Sequence, residues 1–154
     1  MADMNTFIAR MNDVLSWELA GIIQNLNHAM MITGVHRMEY GEFFSENSKE
    51  NRDHAELIGA RITAYGGVPT VEPATIRQAV TLEEMLDAAL ALEKSAMAAW
   101  QAAFDASEGV ANFGTRVWLE DMISEEQEHI DDLMKLTGKT SFSASQLPAS
   151  NKAV

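Results

Sequence analysis

The sequence of 154 residues has no cysteine, only 3 prolines and 9 glycines, and 11 basic residues against 23 acidic ones. The lack of cysteine excludes disulfides, thiolate metal sites and cysteine nucleophiles, so any bound metal must be held by nitrogen and oxygen atoms. The formal net charge of -12 argues against a nucleic-acid partner, because binding to phosphates requires clustered lysine and arginine. An acidic surface suits cations instead.

Long apolar runs are also missing. No stretch approaches the roughly 18 apolar residues of a membrane span, and residues 1–10 lack the basic and apolar segments of a signal peptide. We therefore expect a cytoplasmic protein with no membrane partner. The chain is nevertheless 47% hydrophobic, which is enough for one substantial core, and its length favours a single domain.

Apolar residues recur at helical spacing in four long stretches, and this pattern predicts an all-α protein. The predicted helices run from about Asn5 to Thr33, Met38 to Tyr65, Thr81 to Ser107, and Asn112 to Leu136. In the first helix the apolar stripe consists of Phe7, Met11, Leu15, Leu19, Ile22 and Leu26. Thr81 followed by Glu84 is a capping-box signature at the start of the third helix. We predict a bundle over residues 1–138 and a polar C-terminal tail over residues 139–154.

The connection between the second and third helices is long. Residues 66–80 form about 15 residues of chain, which at roughly 3.3 Å each could span a helix of about 27 residues and roughly 40 Å. The other connections are short, so the helices they join should be antiparallel. Two antiparallel pairs joined by one long crossover is the ferritin-like four-helix bundle, and this is the fold that we predict.

Charged residues interrupt the apolar faces near the middle of each predicted helix. They are Glu18, His54, Glu93, Glu126 and His129. The centres of four antiparallel helices meet at one level of the core, where a buried carboxylate is costly to ionise without a cation. A pair of metal ions would remove that cost.

The spacing of these residues repeats. Glu18 and His54 are 36 residues apart, and Glu93 and His129 are also 36 residues apart, so the chain consists of two similar helical hairpins. In the second hairpin Glu126 precedes His129 by three residues, which places both side chains on one helix face. Position 51 is the counterpart of Glu126 in the first hairpin.

These residues resemble those of the bacterioferritins, within the ferritin-like di-iron carboxylate superfamily. The resemblance covers about residues 11–136 and rests on Glu18, the His54-Ala55 segment, Glu93, Glu125-Glu126 and His129-Ile130-Asp131. It implies that Glu18 and His54 bind one iron, that Glu93 and His129 bind the other, and that Glu126 bridges both. It also implies a ferroxidase that uses O2 or H2O2, stores or detoxifies iron, and assembles as a dimer or a 24-subunit cage.

The sequence departs from the bacterioferritins at two positions. Asn51 occupies the place of the second bridging carboxylate. Three hypotheses follow: Glu50 turns into the site, or Asn51 ligates a metal through its carbonyl oxygen, or the centre holds a single ion or an asymmetric pair. Arg52 replaces the methionine that is an axial ligand in haem-binding relatives, so haem is not expected by that route.

Other conspicuous residues are interpreted as structural. We expect His28 and His36 to have structural or interfacial roles and the tryptophans Trp17, Trp100 and Trp118 to be packing residues. We expect Met30, Met31 and Met38 to fill the core or an interface.

Three alternative functions come from different classes. A DNA-protecting mini-ferritin usually has a basic arm, whereas residues 1–10 carry one basic residue. A rubrerythrin-like peroxidase or other di-iron oxidase would need an external electron donor, because the cysteine-ligated domain common in rubrerythrins is absent. A structural bundle, catalytically impaired because of Asn51, is the third.

Overall fold

A computed structural model describes residues 3–151 of the chain, and over that range it contains four long α-helices and no strand. The helices are α1 (Met4–Met31), α2 (Arg37–Ala64), α3 (Leu82–Ala106) and α4 (Phe113–Leu136), followed by two short 3-10 helices at Ala144–Gln146 and Ala149–Asn151. The all-α prediction is confirmed, and each predicted helix end lies within two residues of the observed one.

Polar side chains cap the helices where the sequence changes from loop to apolar repeat. Thr81 accepts a hydrogen bond from the Glu84 backbone N–H while the Glu84 carboxylate accepts one from the Thr81 N–H, so the predicted capping box is present. Asn112 accepts from the Thr115 N–H at the start of α4. Gly66, which follows α2, has a φ of 80°, a conformation that glycine adopts without steric strain.

The segment between α2 and α3 runs alongside α1, as the crossover prediction requires. Asn12 donates to the Val68 carbonyl and accepts from the Thr70 N–H. Further along, the Ala74 N–H donates to the Ser16 carbonyl at 2.8 Å. The Arg77 N–H donates to Gln24 at 2.9 Å. The contacts advance along both segments together, so the crossover is parallel to α1 and returns the chain to the end of the bundle where α3 begins.

Two hydrophobic clusters fill the bundle, one on each side of its middle. One cluster includes Phe7, Met11, Ile58, Trp100 and Leu119. The other includes Ile32, Phe44, Met85, Leu90 and Leu133. The buried residues Glu18, Asn51, His54, Glu93 and Glu126 fall along the chain between residues of the first cluster and residues of the second. The fold therefore provides one polar level in the middle of an apolar core.

The predicted tail has little contact with the bundle over its described part. Lys139 pairs with Asp87 of α3 at 3.1 Å, and Phe142 is 82% exposed. The division into a bundle and a tail stays a prediction, and its residues 1–2 and 152–154 lie outside the described residues. Within residues 3–151 no helix combines the length and the apolar character needed to cross a membrane.

Candidate metal centre

The five residues predicted as ligands meet in the middle of the bundle. They form two overlapping groups, Glu18 with His54 and Glu126, and Glu93 with Glu126 and His129. Within each group, one potential ligand atom per residue lies within 4.8 Å of the others. Glu126 belongs to both groups, and the rings of His54 and His129 lie 6.2 Å apart. The geometry therefore places one carboxylate between two histidines.

Several buried atoms of this centre have no hydrogen-bond partner. They are both carboxylate oxygens of Glu126, Oε2 of Glu93, and Nδ1 of His54. The Glu126 side chain has no solvent exposure, so its oxygens receive no compensation from bulk water. A buried carboxylate that accepts no hydrogen bond is unfavourable, even with the His54 ring 3.3 Å from its Oε1. A cation between these atoms would supply the missing partner, so the residues present fit a divalent metal ion.

Glu18 is held from two sides. Its Oε1 accepts a hydrogen bond from Nε1 of Trp100 at 3.0 Å, and its Oε2 accepts one from Nδ2 of Asn51 at 2.9 Å. Nδ1 of His54 lies 3.6 Å from Oε2 of Glu18 and 3.3 Å from Oε1 of Glu126. Neutral N–H donors thus orient Glu18 while its charge faces His54.

The outer nitrogen of each histidine contacts a further carboxylate. Nε2 of His54 lies 3.3 Å from Oε2 of Glu125, and Nε2 of His129 lies 3.1 Å from Oε2 of Glu50. The other nitrogen of His129, Nδ1, lies 4.0 Å from Oε2 of Glu93. Glu50 and Glu125 hold equivalent positions, one residue before Asn51 and Glu126. A carboxylate on the outer nitrogen fixes the orientation and tautomer of a metal-ligating imidazole.

The amide of Asn51 is fully engaged by its neighbours. Its Oδ1 accepts a hydrogen bond from Nδ2 of Asn25 at 2.9 Å, while its Nδ2 donates to Glu18. If the Asn51 amide were rotated by 180°, its carbonyl oxygen would face the Glu18 carboxylate and its NH2 group would face the NH2 group of Asn25. Gly21 makes room for this amide, because a Cβ at Gly21 would lie 2.5 Å from Cγ of Asn51. The carbonyl of Asn51 therefore points towards Asn25.

Burial and neighbouring charges change the pKa values of three groups of the centre. Burial opposes charging of His54, but the carboxylates of Glu126 and Glu18 outweigh it and raise the pKa of His54 to about 11. Burial, reinforced by the negative charge of Glu126, raises the pKa of Glu93 well above its ordinary value. For Glu126 burial acts in the same direction, yet His54 and Glu93 lower its pKa overall. Both upward shifts favour the protonated forms of His54 and Glu93.

A cavity connects the centre to the surface between α2 and α4. Its volume is about 320 Å³, and Asn47, Glu50, Glu128, His129 and Asp132 are among its lining residues. His129 forms the inner boundary of this opening, with 33% of its side chain exposed, whereas His54 has 8%. Cations therefore meet a mainly acidic entrance that ends at the Glu93 and His129 side of the centre.

Apart from Trp100, which donates to Glu18, the histidines and methionines interpreted from sequence as structural lie outside the cluster. His28 is fully buried with its ring edge on Phe44, whereas His36 is exposed and pairs with Glu39 at 2.7 Å. The exposed fractions of Met30 and Met38 are 63% and 87%, so a core role for them is wrong and an interface role stays a prediction.

Sequence reasoning missed three contributors to the centre. They are Asn25, the Nε1 donor of Trp100, and Glu125 as the partner of His54. The equivalence of the Glu50-Asn51 and Glu125-Glu126 pairs was the available signal for Glu125. Asn25 and Trp100 carried no such signal, because their roles depend on which neighbouring side chains they meet.

Comparisons with known proteins agree with the fold. The family model for the ferritin-like domain matches residues 8–142. The chain is 30% identical to the bacterioferritin of Mycobacterium leprae over 124 residues, covering 80% of this chain and 78% of that protein. It is 28% identical to the bacterioferritin of Brucella melitensis over 129 residues, covering 82% and 79% of the two chains.

Solved structures show the same architecture. A ferritin-like di-iron carboxylate protein from Bacillus anthracis aligns with a TM-score of 0.84 and 27% identity, covering 89% of this chain and 99% of that one. A dodecameric thioferritin related to bacterioferritin, from Bacteroides fragilis, aligns with a TM-score of 0.78 and 24% identity, covering 89% and 87% of the two chains. The second likeness concerns the fold alone.

Proposed function

The chain belongs to the ferritin-like family, and on that premise we propose that it binds Fe(II) between its four helices and oxidises it for iron storage or detoxification. The observation that carries this proposal is Glu126, whose two buried and unpartnered oxygens lie between two histidine groups. Carboxylate and imidazole ligands suit iron, and the hard anionic carboxylates favour the ferric product.

We assign the ligands in two sets. Glu18 and His54 hold one iron ion, Glu93 and His129 hold the other, and Glu126 bridges them. Nδ1 of His54 is the nitrogen that faces the carboxylates of its set, which makes it the ligand atom. Each ion then retains open positions, which an oxidant needs in order to reach the metal.

Glu50 and Asn51 have supporting roles in this proposal. Glu50 orients His129 through its outer nitrogen, as Glu125 orients His54. Asn51 presents a donor to Glu18 and therefore positions that carboxylate rather than binding metal. The second bridge of the bacterioferritin pattern is then missing, and the centre has one negative charge fewer to offset two cations.

The chain's own groups also manage protons and access. Fe(II) enters through the acidic opening beside His129, and because its binding requires the deprotonated forms of His54 and Glu93, it opposes their raised pKa values and releases protons. Two Fe(II) ions together give up two electrons. These electrons reduce dioxygen to hydrogen peroxide, or hydrogen peroxide to water, and two protons are consumed in either case.

Anaerobic Fe(II) titration followed by oxidant tests the proposal. We expect about two Fe(II) per chain, by analogy with di-iron bundles, and rapid ferric absorbance on adding O2 or H2O2. His129→Ala should lose most of this rate, whereas His36→Ala, at an exposed histidine outside the centre, should match the wild type. If the wild type binds no iron, the structural-bundle alternative is correct. A strong preference for H2O2 together with an external reductant would favour the peroxidase alternative.

We also propose that the protein is a homo-oligomer. One face of α1 exposes Ile23, Leu26 and Met30, which are 45%, 47% and 63% accessible. Their spacing of three and four residues places them on one side of the helix. A symmetric contact between two copies of this face would bury these side chains, and closed symmetric assemblies are the usual form of soluble oligomers.

A further inference from the structure

Two tryptophans connect the metal centre to the protein surface. Trp100 is fully buried and donates its indole N–H to Glu18 at 3.0 Å. The ring of Trp118 meets that of Trp100 edge to face, with centroids 5.7 Å apart and an angle of 75° between the planes. Trp118 is half-buried, and the guanidinium of Arg61 lies 5.0 Å from the centre of its ring.

We propose that Trp100 and Trp118 deliver one electron to the metal centre when hydrogen peroxide meets a centre that holds a single Fe(II). This inference rests on the proposed ferroxidase function. Reduction of hydrogen peroxide to water takes two electrons, and two Fe(II) ions supply both. With one Fe(II) present, one electron is missing, and the alternative product is a hydroxyl radical that attacks the protein.

The step is balanced with the tryptophan as the second reductant. One Fe(II), one Trp118 with its indole proton, one hydrogen peroxide and one further proton yield one Fe(III), one neutral Trp118 radical and two waters. The O–O bond breaks, the iron and the indole are each oxidised by one electron, and the proton of the Trp118 N–H leaves to solvent. The electron passes from Trp118 to the centre through Trp100.

Two features of the pair support this role beyond packing. The polar edge of Trp100 is directed at Glu18, and its ring also lies edge to face with His54 at 6.5 Å, so it contacts the centre directly. The two indoles are in contact, which favours electron exchange between them. Arg61 opposes positive charge on the Trp118 ring, so loss of an electron from Trp118 has to be accompanied by loss of its indole proton.

The experiment loads the full-length protein anaerobically with one Fe(II) per chain and then adds one equivalent of H2O2. Iron bound per chain is measured first, for the wild type, Trp118→Phe and Trp17→Phe. Rapid freezing then allows the tryptophan radical to be detected by electron paramagnetic resonance, and a spin trap reports hydroxyl radical released to solvent. Trp17 is the matched control, because its ring makes no aromatic contact within residues 3–151.

We expect a tryptophan radical in the wild type and in Trp17→Phe, with little trapped hydroxyl radical in either. Trp118→Phe keeps an aromatic ring at position 118 and the Trp100 donor to Glu18 but removes the indole, so its expected change is a several-fold increase in trapped hydroxyl radical. Iron binding without a tryptophan radical in the wild type, or equal trapping in the two variants, would overturn the electron path alone. Absence of bound iron in the wild type would overturn the proposed function and, with it, this inference.

Discussion

Protons and metal compete for the same atoms at His54 and Glu93. Both groups have a raised pKa in the protein without metal, to about 11 for His54, so His54 holds a proton at neutral pH and the protonated form of Glu93 is favoured. A metal ligand must be deprotonated, so binding has to displace these protons. Because a rise in pH makes their removal easier, the affinity for Fe(II) should rise with pH.

The first prediction is therefore that metal binding releases protons. Anaerobic calorimetry of Fe(II) binding in two buffers with different ionisation enthalpies should show proton release near pH 7, with about one proton per chain coming from His54. The affinity for Fe(II) should increase from about pH 6 to pH 8, and deprotonation of His54 and Glu93 should account for most of that increase. The control variant His36→Ala, changed at an exposed histidine outside the centre, should show the same dependence of Fe(II) affinity on pH. Binding without proton release would contradict the assignment of His54 as a ligand.

Asn51→Glu tests the role of the missing bridge. The new carboxylate would replace a donor 2.9 Å from Glu18, so the metal-free variant should lose about 1–3 kcal/mol of unfolding free energy. The same charge should attract Fe(II), so a larger increase in melting temperature on adding Fe(II) is expected in the variant than in the wild type. Initial oxidation should also be faster if a second bridge is all that the centre lacks.

Asn47→Glu is the control, since it adds the same charge one turn earlier on α2. Both positions line the cavity, but of the two it is Asn51 whose side chain hydrogen-bonds to Glu18. If Asn51→Glu leaves the Fe(II)-induced shift unchanged, position 51 does not face the metals. An unchanged or lower oxidation rate would refute the missing-bridge explanation.

At the residue scale, spacing predicted the central cluster because the hairpin repeat constrains it. Glu18, His54, Glu93, Glu126 and His129 all lie at one level, as the two separations of 36 residues require. The side chains that contact these five residues follow no regular spacing in the sequence. Whether Glu50 contacts Glu93 or the far nitrogen of His129 depends on rotamers, and rotamers depend on neighbours from other helices.

Glycine positions test how α1 and α2 pack against each other. A Cβ at Gly21 would lie 2.5 Å from Cγ of Asn51, whereas a Cβ at Gly59 would have no atom within 4 Å. Both glycines lie within helices, where alanine is favoured by roughly 1 kcal/mol. Gly59→Ala should therefore increase the unfolding free energy by about that amount.

Gly21→Ala should behave in the opposite way. The added methyl would push the Asn51 amide away from Glu18 and Asn25, and loss of these buried hydrogen bonds costs about 1–3 kcal/mol, more than the helix gains. Denaturant unfolding of both variants measures the difference. Equal stabilisation by the two substitutions would mean that Asn51 can move without loss, and its proposed positioning of Glu18 would then be wrong.

At the element scale, helix limits were predictable because caps and glycines mark them, but the buried face of α1 was only partly predictable. The apolar stripe begins correctly with Phe7, Met11 and Leu15, which are buried. From Phe7 to Leu26 the stripe advances by an average of about 3.8 residues per step, more than the 3.6 of a helical turn, so it drifts around the helix until Leu26 is 47% exposed. The buried face of α1 continues instead through Glu18, which places this carboxylate inside the bundle with the other residues of the centre.

The crossover was predictable from length alone, whereas its path was not. Fifteen residues are long enough to return along the bundle, but many paths satisfy that limit. The hydrogen bonds of Asn12 to Val68 and Thr70 fix the path along α1, and a polar residue on a helix surface does not reveal its partner in the sequence.

At the scale of the whole molecule, the open question is which surfaces meet another copy. The exposed α1 side chains Ile23, Leu26 and Met30 lie on one face, whereas other exposed apolar residues, such as Val80 in the crossover, are outside that row. Burying an apolar side chain of this size contributes about 1.5–3 kcal/mol. Two copies that meet through this face would each gain that contribution at several positions.

Leu26→Glu should therefore disrupt assembly. A carboxylate at the middle of the row would be opposed by its own symmetry mate or by apolar partners, and either arrangement weakens the contact by several kcal/mol, on the order of a buried unpaired charge. Light scattering coupled to size-exclusion chromatography should show an oligomer for the wild type and a smaller species for the variant. Val80→Glu adds the same charge outside the row and should keep the wild-type mass.

Because Leu26 is half-exposed in the single chain, the helical content of Leu26→Glu should be unchanged, which separates loss of assembly from loss of folding. An unchanged mass would place the contact elsewhere on the bundle, and a monomeric wild type would remove the storage role, which needs a closed shell.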